Sequence, residues 1–431
     1  MFIDYLLTLI IFLFAYSLIV FRNILKINLP IWAIMLLASV ALIALNVVTP
    51  QQAYLSVNYN VIVFLFSMFV IGAALKLSGI LNYIIKLLIS KSSKPEHILW
   101  FIVLGIGLMS GILMNDTLAL IGTPIILELS RKLNIKPKIL LLALAYTVTT
   151  GSVLTPIGNP QNLLIAIESG IKAPFITFLY YLTLPTIINL FLLYYILKRF
   201  FKKELDETRM DFKHRLEIIT KANETVIEDR YVAKITLIVS LLTFLGIIIA
   251  DILQIFGIEY LNISWISLIG ATLLIVLYPS RRELITEVDW GILILFTSMF
   301  VLMGTVYNEG ILNIFSTLIK NYNMQITQIT NVALTSILLS QILSNVPMTF
   351  LYLPIFTHTF SSLQAKVWIT LAWSSTIAGN LTLLGAASNL IIVELAEKMN
   401  IKISYFEFFK YGFIITLINF IILFLFTLIL P

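Results

Sequence analysis

The sequence predicts an all-α polytopic membrane protein, built as an inverted repeat of two five-span halves that each contain a re-entrant hairpin and a broken helix. Three observations support this prediction. Sixty per cent of the 431 residues are hydrophobic and only 12% are charged, whereas a soluble domain is about 25% charged. Apolar runs of membrane-spanning length recur along the chain. Short motifs of the first half also return in the second half at nearly constant spacing.

A helix needs about 20 apolar residues to cross a bilayer, and this criterion divides the chain. We predict an N-terminal repeat over 1–200, with spans near 2–21, 28–48, 59–78, 138–168 (broken) and 175–199. The first span lacks the basic start and the small-residue cleavage site of a signal peptide, so we expect it to be retained. Between the third and fourth spans, 96–130 has two apolar arms that are too short to cross, which predicts a re-entrant hairpin.

A strongly charged stretch at 201–230 separates the two halves and is predicted to be a cytoplasmic linker. The C-terminal inverted repeat over 231–431 has predicted spans near 231–251, 262–279 and 289–307, a hairpin at 326–360, a broken span at 365–398 and a last span at 405–430. The stretches 80–91 and 311–320 are predicted to be interfacial helices.

The two halves are related by sequence as well as by hydropathy. The tetrapeptides at 67–70 and 79–82 return at 298–301 and 310–313, and Asn115 returns as Asn345. Three residues of the first broken span also return in the second, where Thr155, Gly158 and Asn162 become Thr382, Gly385 and Asn389. Matches kept in order indicate duplication, and an odd number of spans in each half predicts that the second half is inverted.

The loop charges test this orientation independently, since Lys and Arg accumulate on the cytoplasmic side. With the N-terminus outside, the inner loops contain Arg22, Lys26, Lys86, Lys91, Lys94, Arg131, Lys132, Lys136, Lys138, Arg281, Arg282, Lys398 and Lys402. The outer loop 49–58 has no charge, 251–262 has only Asp251 and Glu259, and 168–174 has one charge of each sign. We therefore predict a multi-pass protein of the cell membrane, whose two hairpins enter from opposite faces.

Four interruptions of the apolar runs contain residues suited to binding a substrate or ion: the hairpin tips at 115–117 and 344–346, and the breaks at 155–162 and 379–389. Gly lets the backbone approach a ligand closely, and Pro ends an incoming half-helix. The half-helix ends then offer carbonyl oxygens to a cation or N–H groups to an anion. We expect one central polar cavity surrounded by Asn115, Asp116, Thr117, Thr155, Gly158, Asn159, Asn162, Ser344, Asn345, Asn380, Thr382, Gly385 and Asn389.

Asp116 is the only charged side chain between Phe101 and Leu127. A carboxylate at the centre of a membrane costs about 2.5–3.5 kcal/mol on insertion scales and usually serves a function. Its counterpart in the second half is Val346, so the repeat does not require it. We interpret Asp116 as the carrier of an ion or a proton. The alternative is a hairpin tip that reaches the aqueous interface, where an aspartate is ordinary.

Other function classes are disfavoured by what the sequence lacks. The absence of cysteine excludes disulfides, thiolate metal sites and cysteine nucleophiles. The sequence has no HExxH, GxSxG or Walker motif, so we expect neither an enzyme nor ATP-driven transport by this chain alone. The net charge of +6 comes from short loops between apolar spans, and we expect no nucleic-acid partner.

Four motifs occur in order along the chain: MNDTLALIGTP, GSVLTPIGNPQNLLIA, SNVPMTFLYLP and GNLTLLGAASNLI. Together they resemble the ion transporter superfamily, which includes arsenite permeases, NhaD-type sodium/proton antiporters, the melanosomal P protein and divalent anion/sodium symporters. The branch of bacterial and archaeal anion permeases with TPIGNPQN and SNVP is the most similar. The resemblance covers nearly the whole chain. It implies a scaffold and a transport domain that work as an elevator, often in a homodimer.

In the dicarboxylate symporters of this superfamily, each hairpin tip carries Ser-Asn-Thr, which helps to hold Na⁺ and the substrate carboxylates. The resemblance therefore implies that the tip residues Asn115, Thr117, Ser344 and Asn345 are ligands. We expect a Na⁺ site at Asn115, Asp116 and Asn345, and no other cofactor. Met114 and Val346 depart from the family pattern and Asp116 adds a negative charge, which weakens a dicarboxylate or citrate assignment and favours coupling to H⁺ or Na⁺.

Two hypotheses from different classes follow. The first is a secondary active transporter that moves a small inorganic or organic anion or oxyanion, including arsenite-type efflux, coupled to H⁺ or Na⁺. The second is a cation/proton antiporter with Asp116 as the carrier carboxylate. A membrane scaffold explains the sequence poorly, because a scaffold needs no polar residues at mid-depth. The expected partners are the lipid bilayer, the small anion and a second copy of the chain.

Overall fold

The computed structural model describes residues 2–21, 29–90, 92–208, 212, 227, 229–258, 262–311, 325, 327–360 and 363–430. Every regular element among these residues is helical, which confirms the predicted all-α class. Most of the predicted linker 201–230, the basic residues Arg22 and Lys26, and 312–320 of the second predicted interfacial helix lie outside the described residues.

The first half of the chain contains eleven α-helices and one π-helical segment among its described residues. They are α1 (Phe2–Phe21), α2 (Ile31–Ala44), α3 (Pro50–Ser56), α4 (Tyr59–Leu77), α5 (Ile80–Ser90), α6 (Pro95–Trp100), a π-helical segment (Phe101–Ile106), α7 (Gly107–Ser110), α8 (Asn115–Leu133), α9 (Pro137–Gly151), α10 (Pro160–Glu168) and α11 (Pro174–Phe200). The hairpin enters through α6 and α7 and leaves through α8. Two 3₁₀ turns, Ser152–Leu154 and Pro156–Gly158, separate α9 from α10.

The second half repeats this order after α12 (Lys202–Glu207). Its helices are α13 (Arg230–Ile255), α14 (Ile263–Leu277), α15 (Arg281–Thr286), α16 (Trp290–Asn308), α17 (Ile329–Leu343), α18 (Asn345–Thr359), α19 (Ala365–Ile377), α20 (Ala387–Glu397) and α21 (Tyr405–Ile429). Helices α17 and α18 form the second hairpin. Two 3₁₀ turns, Ala378–Asn380 and Leu383–Gly385, separate α19 from α20.

Seven helical segments among the described residues are long and apolar enough to cross a membrane. They are Phe2–Ile19, Tyr59–Leu77, Pro137–Leu154, Pro174–Phe200, Arg230–Ile255, Trp290–Asn308 and Tyr405–Ile429. Large apolar side chains remain exposed along several of these helices, for example Leu241 and Leu242 on α13. An aqueous surface would not favour such rows, whereas lipid tails cover them at no cost. The chain is therefore a multi-pass membrane protein.

Two predicted spans are shorter than expected. Helices α2 and α14 have 14 and 15 residues, or about 21–23 Å at a rise of 1.5 Å per residue. The turn after α2 contains Asn46 with a φ of 55°. Helix α14 stops because Pro279 follows it, and Tyr278 before that proline is extended. The shortening is shared, since α2 and α14 occupy equivalent places in the two halves.

The long helices of the two halves pack reciprocally. Helix α4 packs against α14, and its counterpart α16 packs against α2. Such an exchange of partners is what a pseudo-two-fold relation between the halves requires. The turns that follow α4 and α16 also match, because Gly79 and Gly310 have φ values of 75° and 73°. The orientation of each half in the membrane stays a prediction.

Candidate functional site

The two hairpin tips have similar backbone and side-chain arrangements. Met114 and Ser344, which occupy equivalent positions in the repeat, both have a positive φ, of 21° and 70°. This conformation is unfavourable for residues other than glycine. In each tip the next asparagine folds back, so that its side-chain oxygen accepts the following backbone N–H. The Asn115 Oδ1 is 2.9 Å from the Asp116 nitrogen, and the Asn345 Oδ1 is 3.0 Å from the Val346 nitrogen.

In the first break, two asparagines satisfy the free backbone groups of the two half-helices. The Asn159 Oδ1 accepts the backbone N–H of Asn162 at 2.9 Å and thereby caps α10. The Asn162 side chain donates to the carbonyls of Ser152 and Thr155, at 3.2 and 3.3 Å. Both asparagines are fully buried. The broken backbone is therefore hydrogen-bonded within the protein, which a membrane interior requires.

The second break repeats the bonds that Asn162 makes to two carbonyls, but it lacks a side-chain cap like that of Asn159. The Asn389 side chain donates to the carbonyls of Gly379 and Thr382, at 2.6 and 3.3 Å. These are the positions equivalent to those that Asn162 bonds. Ala386 precedes α20, so this half-helix has no side-chain cap of its own, unlike α10 with Asn159. The N-terminus of α20 is consequently open to an acceptor from elsewhere.

Gly158 and Gly385 allow two backbone segments of each break to approach each other closely. A Cβ atom on Gly158 would overlap the carbonyl of Ser152, and one on Gly385 would lie 2.6 Å from the carbonyl oxygen of Ala378. Real Cβ atoms essentially never come this close to a carbonyl oxygen. The two predicted glycines therefore have a steric role, which is to let the second 3₁₀ turn lie against the end of the incoming half-helix.

Each break is joined to the hairpin of its own half. The Thr155 hydroxyl donates to the carbonyl of Gly111, and the Thr382 hydroxyl donates to the Gln341 Oε1 at 2.8 Å. Gly111 and Gln341 are equivalent, since their separation in the chain equals that of Asn115 and Asn345. Gln341 also donates to the carbonyl of Ala378 at 3.0 Å. Hairpin and break thus form one unit in each half.

The two breaks also contact each other across the halves. The Thr376 hydroxyl lies 3.0 Å from the Asn159 Nδ2 and 3.0 Å from the Asn162 Oδ1. The Asn380 side chain donates to the Thr150 hydroxyl at 3.0 Å. All five residues are buried. Predicted residues of both halves therefore take part in two groups of hydrogen bonds, and each group joins one half to the other.

Asp116 lies at the open end of α20. Its exposed fraction is 7%, so this side chain does not stand in bulk water, and its burial favours the functional interpretation. The neighbouring Asn115 donates to the Ser388 hydroxyl at 3.4 Å, and the backbone of Ser388 hydrogen-bonds the Asp116 carboxylate. A carboxylate at an uncapped helix N-terminus is electrostatically favourable.

The remaining predicted residues are less closely connected. Among the described residues, the side chains of Ser344 and Asn345 hydrogen-bond within their own tip. Thr117 faces α4, where its methyl group would lie 3.4 Å from a Cβ atom on Gly72. The single central cavity and the shared Na⁺ site at Asn115, Asp116 and Asn345 stay predictions.

Four residues that the sequence analysis did not select take part in this site: Thr150, Gln341, Thr376 and Ser388. The repeat provides a signal for two of them, because Thr376 is the counterpart of Thr149 and Ser388 is the counterpart of Gln161, at the spacing that relates the two breaks. Thr150 and Thr376 lie within apolar helical segments. Nothing in the local sequence distinguishes them from ordinary helix residues.

A polytopic chain with two buried, polar helix breaks and two hairpins has the architecture of a membrane transporter. The chain belongs to the citrate transporter family, CitMHS, whose sequence profile matches residues 16–378. It is 27% identical over 418 residues to the silicon efflux transporter LSI3 of Oryza sativa, with 84% of each chain covered. It is 26% identical over 391 residues to a 46 kDa membrane protein of Mycobacterium leprae, with 88% of each chain covered. A transporter of Methanocaldococcus jannaschii, MJ0456, is 28% identical over 407 residues, covering 92% of this chain and 97% of the relative.

Proposed function

We propose that this protein is a secondary active transporter that moves a small anion or oxyanion across the membrane, coupled to H⁺ or Na⁺. The family name refers to citrate and the rice relative is named for silicon efflux, so the substrate class is drawn from small oxygen-rich molecules. The departures at the hairpin tips argue against citrate itself for this chain.

The observation that supports the proposal most directly is the uncapped N-terminus of α20. Backbone N–H groups at such an end form a natural anion site. The first break differs, because Asn159 caps α10 from within. The substrate anion is therefore expected nearer the second break, beside Asn115 and Ser388. Neutral amides and hydroxyls there can bind oxygen atoms without adding a buried charge.

Asp116 supplies a means of coupling at this same end. While it is ionised, its carboxylate occupies the α20 N-terminus and repels a second anion. Protonation or a bound Na⁺ neutralises this charge, so that the substrate anion and the cation load together. Release of the cation on the other side restores the negative charge and expels the anion. The hairpins and breaks would move as a unit past the packed spans in an elevator cycle.

A cation/proton antiporter is the second candidate. It is supported by the same burial of Asp116, whose surroundings contain the Asn115 side chain and the Ser388 hydroxyl. In that case the carboxylate exchanges H⁺ for a metal cation and no anion accompanies it. The open α20 N-terminus then serves only to hold Asp116.

Transport in proteoliposomes distinguishes the two candidates. The purified chain is reconstituted, and uptake of labelled phosphate, arsenite, silicate and citrate is followed while Na⁺ and pH gradients are imposed separately. Gradient-driven accumulation of an anion supports the first function. Na⁺/H⁺ exchange that proceeds at full rate without any of these anions supports the antiporter instead.

A further inference from the structure

A cavity of about 390 Å³ lies near the far ends of α8 and α20, away from the candidate site. Its floor is apolar and is formed by Leu127 of α8 and Leu395 of α20, with Pro124 and Met399 beside them. Pro124, Leu127 and Arg131 are spaced by three and four residues, so they share one face of α8.

The rim of this cavity is basic. Glu128 and Lys132, one turn apart on α8, form an ion pair at 2.5 Å. The excess positive charge therefore comes from Arg131 and Lys398. Within the described part of the chain, the Arg131 guanidinium donates to the Met399 sulfur at 3.9 Å. A thioether is a weak acceptor, so the guanidinium retains its capacity to bind an anion.

We propose that this cavity binds an anionic phospholipid of the cytoplasmic leaflet. Its phosphate would contact Arg131 and Lys398, and an acyl chain would cover Leu127 and Leu395. The positive-inside rule assigns this end of α8 to the cytoplasmic side, and basic pockets between helices on that side suit anionic headgroups. A soluble anion could use the rim alone, whereas a lipid matches both the charge and the apolar floor.

The position gives this lipid a mechanical role. Helices α8 and α20 pack against each other. Their starting ends bring Asn115 and Ser388 together, and the cavity lies between their other ends. A lipid seated there would hold the first hairpin against the second half of the second break. Anionic lipid is therefore expected to stabilise the transporter, and neutral lipid is not.

The test uses the full chain purified in a neutral detergent. Phosphatidylglycerol or phosphatidylcholine is titrated in, and both the melting temperature and the bound lipid, by native mass spectrometry, are measured. Phosphatidylglycerol should raise the melting temperature saturably. The double variant Arg131→Gln/Lys398→Gln should bind it about 30-fold more weakly, since each basic residue near an anionic lipid contributes about a fivefold factor and the two factors multiply. The matched control Arg282→Gln/Lys402→Gln removes two other exposed charges from the same predicted side and should bind like the wild type.

A second variant tests the floor while leaving the rim intact. Leu395→Trp fills the cavity and should weaken phosphatidylglycerol binding, and it supplies the test if the double variant cannot be purified. Three results would overturn the proposal. These are equal stabilisation by inorganic phosphate, equal binding of phosphatidylcholine, and an equal loss in the control double variant. They would indicate, respectively, a soluble-anion site, an uncharged lipid contact and a general effect of surface charge.

Discussion

Asn162 and Asn389 perform the same task in the two halves of the chain. Each side chain donates to two backbone carbonyls, those of residues ten and seven positions earlier. The Ser152 and Gly379 carbonyls lie where the incoming half-helices end, and carbonyls at such ends lack intrahelical partners. The two asparagines thus stabilise the broken conformation from within, and a duplication explains why they occupy equivalent positions in the two halves.

Replacing either asparagine should weaken its break. We expect Asn162→Ala and Asn389→Ala each to lower the free energy of unfolding by about 1–3 kcal/mol, because two buried carbonyls lose a donor. Transport should fall in both variants. Thermal unfolding and uptake are the measurements, with Asn60→Ala as an exposed control. Stability unchanged from the wild type in both break variants would contradict this assignment.

Asp116→Asn should uncouple transport from its driving gradient. The amide keeps the size of the side chain and its ability to accept from Ser388, but it cannot bind a proton or offset the charge of Na⁺. Accumulation driven by a pH or Na⁺ gradient is expected to fall to background. Exchange of labelled for unlabelled substrate at equal concentrations should survive, since exchange does not require the empty carrier to return.

Normal expression and melting temperature of Asp116→Asn would show that folding is intact. Full gradient-driven accumulation in this variant would reduce Asp116 to a structural residue of the hairpin tip. The anion-transporter assignment would then depend on the asparagines, threonines and backbone ends alone.

Gly158→Ala and Gly385→Ala should both abolish transport. The added methyl group meets a backbone carbonyl in each break, and backbone cannot move aside as a flexible side chain does. Overpacking of this kind typically costs about 1–3 kcal/mol. The control is Gly246→Ala, whose nearest neighbour is the end of the Ile266 side chain at 3.0 Å. Wild-type uptake in both break variants would show that the close approach is not needed.

The predicted topology can be tested by cysteine labelling without background from native thiols, because the chain has no cysteine. A membrane-impermeant thiol reagent applied to intact cells should label Lys172→Cys, which lies before α11 in the predicted outer loop 168–174. It should label Thr208→Cys, in the predicted cytoplasmic linker, only after the membrane is opened. Labelling of Thr208→Cys in intact cells would show that the chain has the opposite orientation in the membrane.

The sequence predicts local interruptions well and tertiary partners poorly. Pro156, Gly158 and Pro160 mark the first break because they end helices by their own geometry. The contact of Asn115 with Ser388 joins residues 273 positions apart, and neither residue has a local feature that specifies the other. Hydropathy overestimates the lengths of α2 and α14, because apolar residues flank both helices. Pro30 and Pro279 were the available signals.

The brevity of α2 and α14 has a consequence for the surrounding lipid. Helices of about 21–23 Å cannot match a hydrocarbon core of about 30 Å, so the bilayer must become thinner beside them or polar flanking groups must reach towards its surfaces. Because each of these helices packs against a long helix of the opposite half, the hydrophobic mismatch occurs twice, at symmetry-related positions. A thinner membrane there shortens the distance over which a substrate must be carried. The transport rate should therefore depend on acyl-chain length, and be faster in short-chain bilayers.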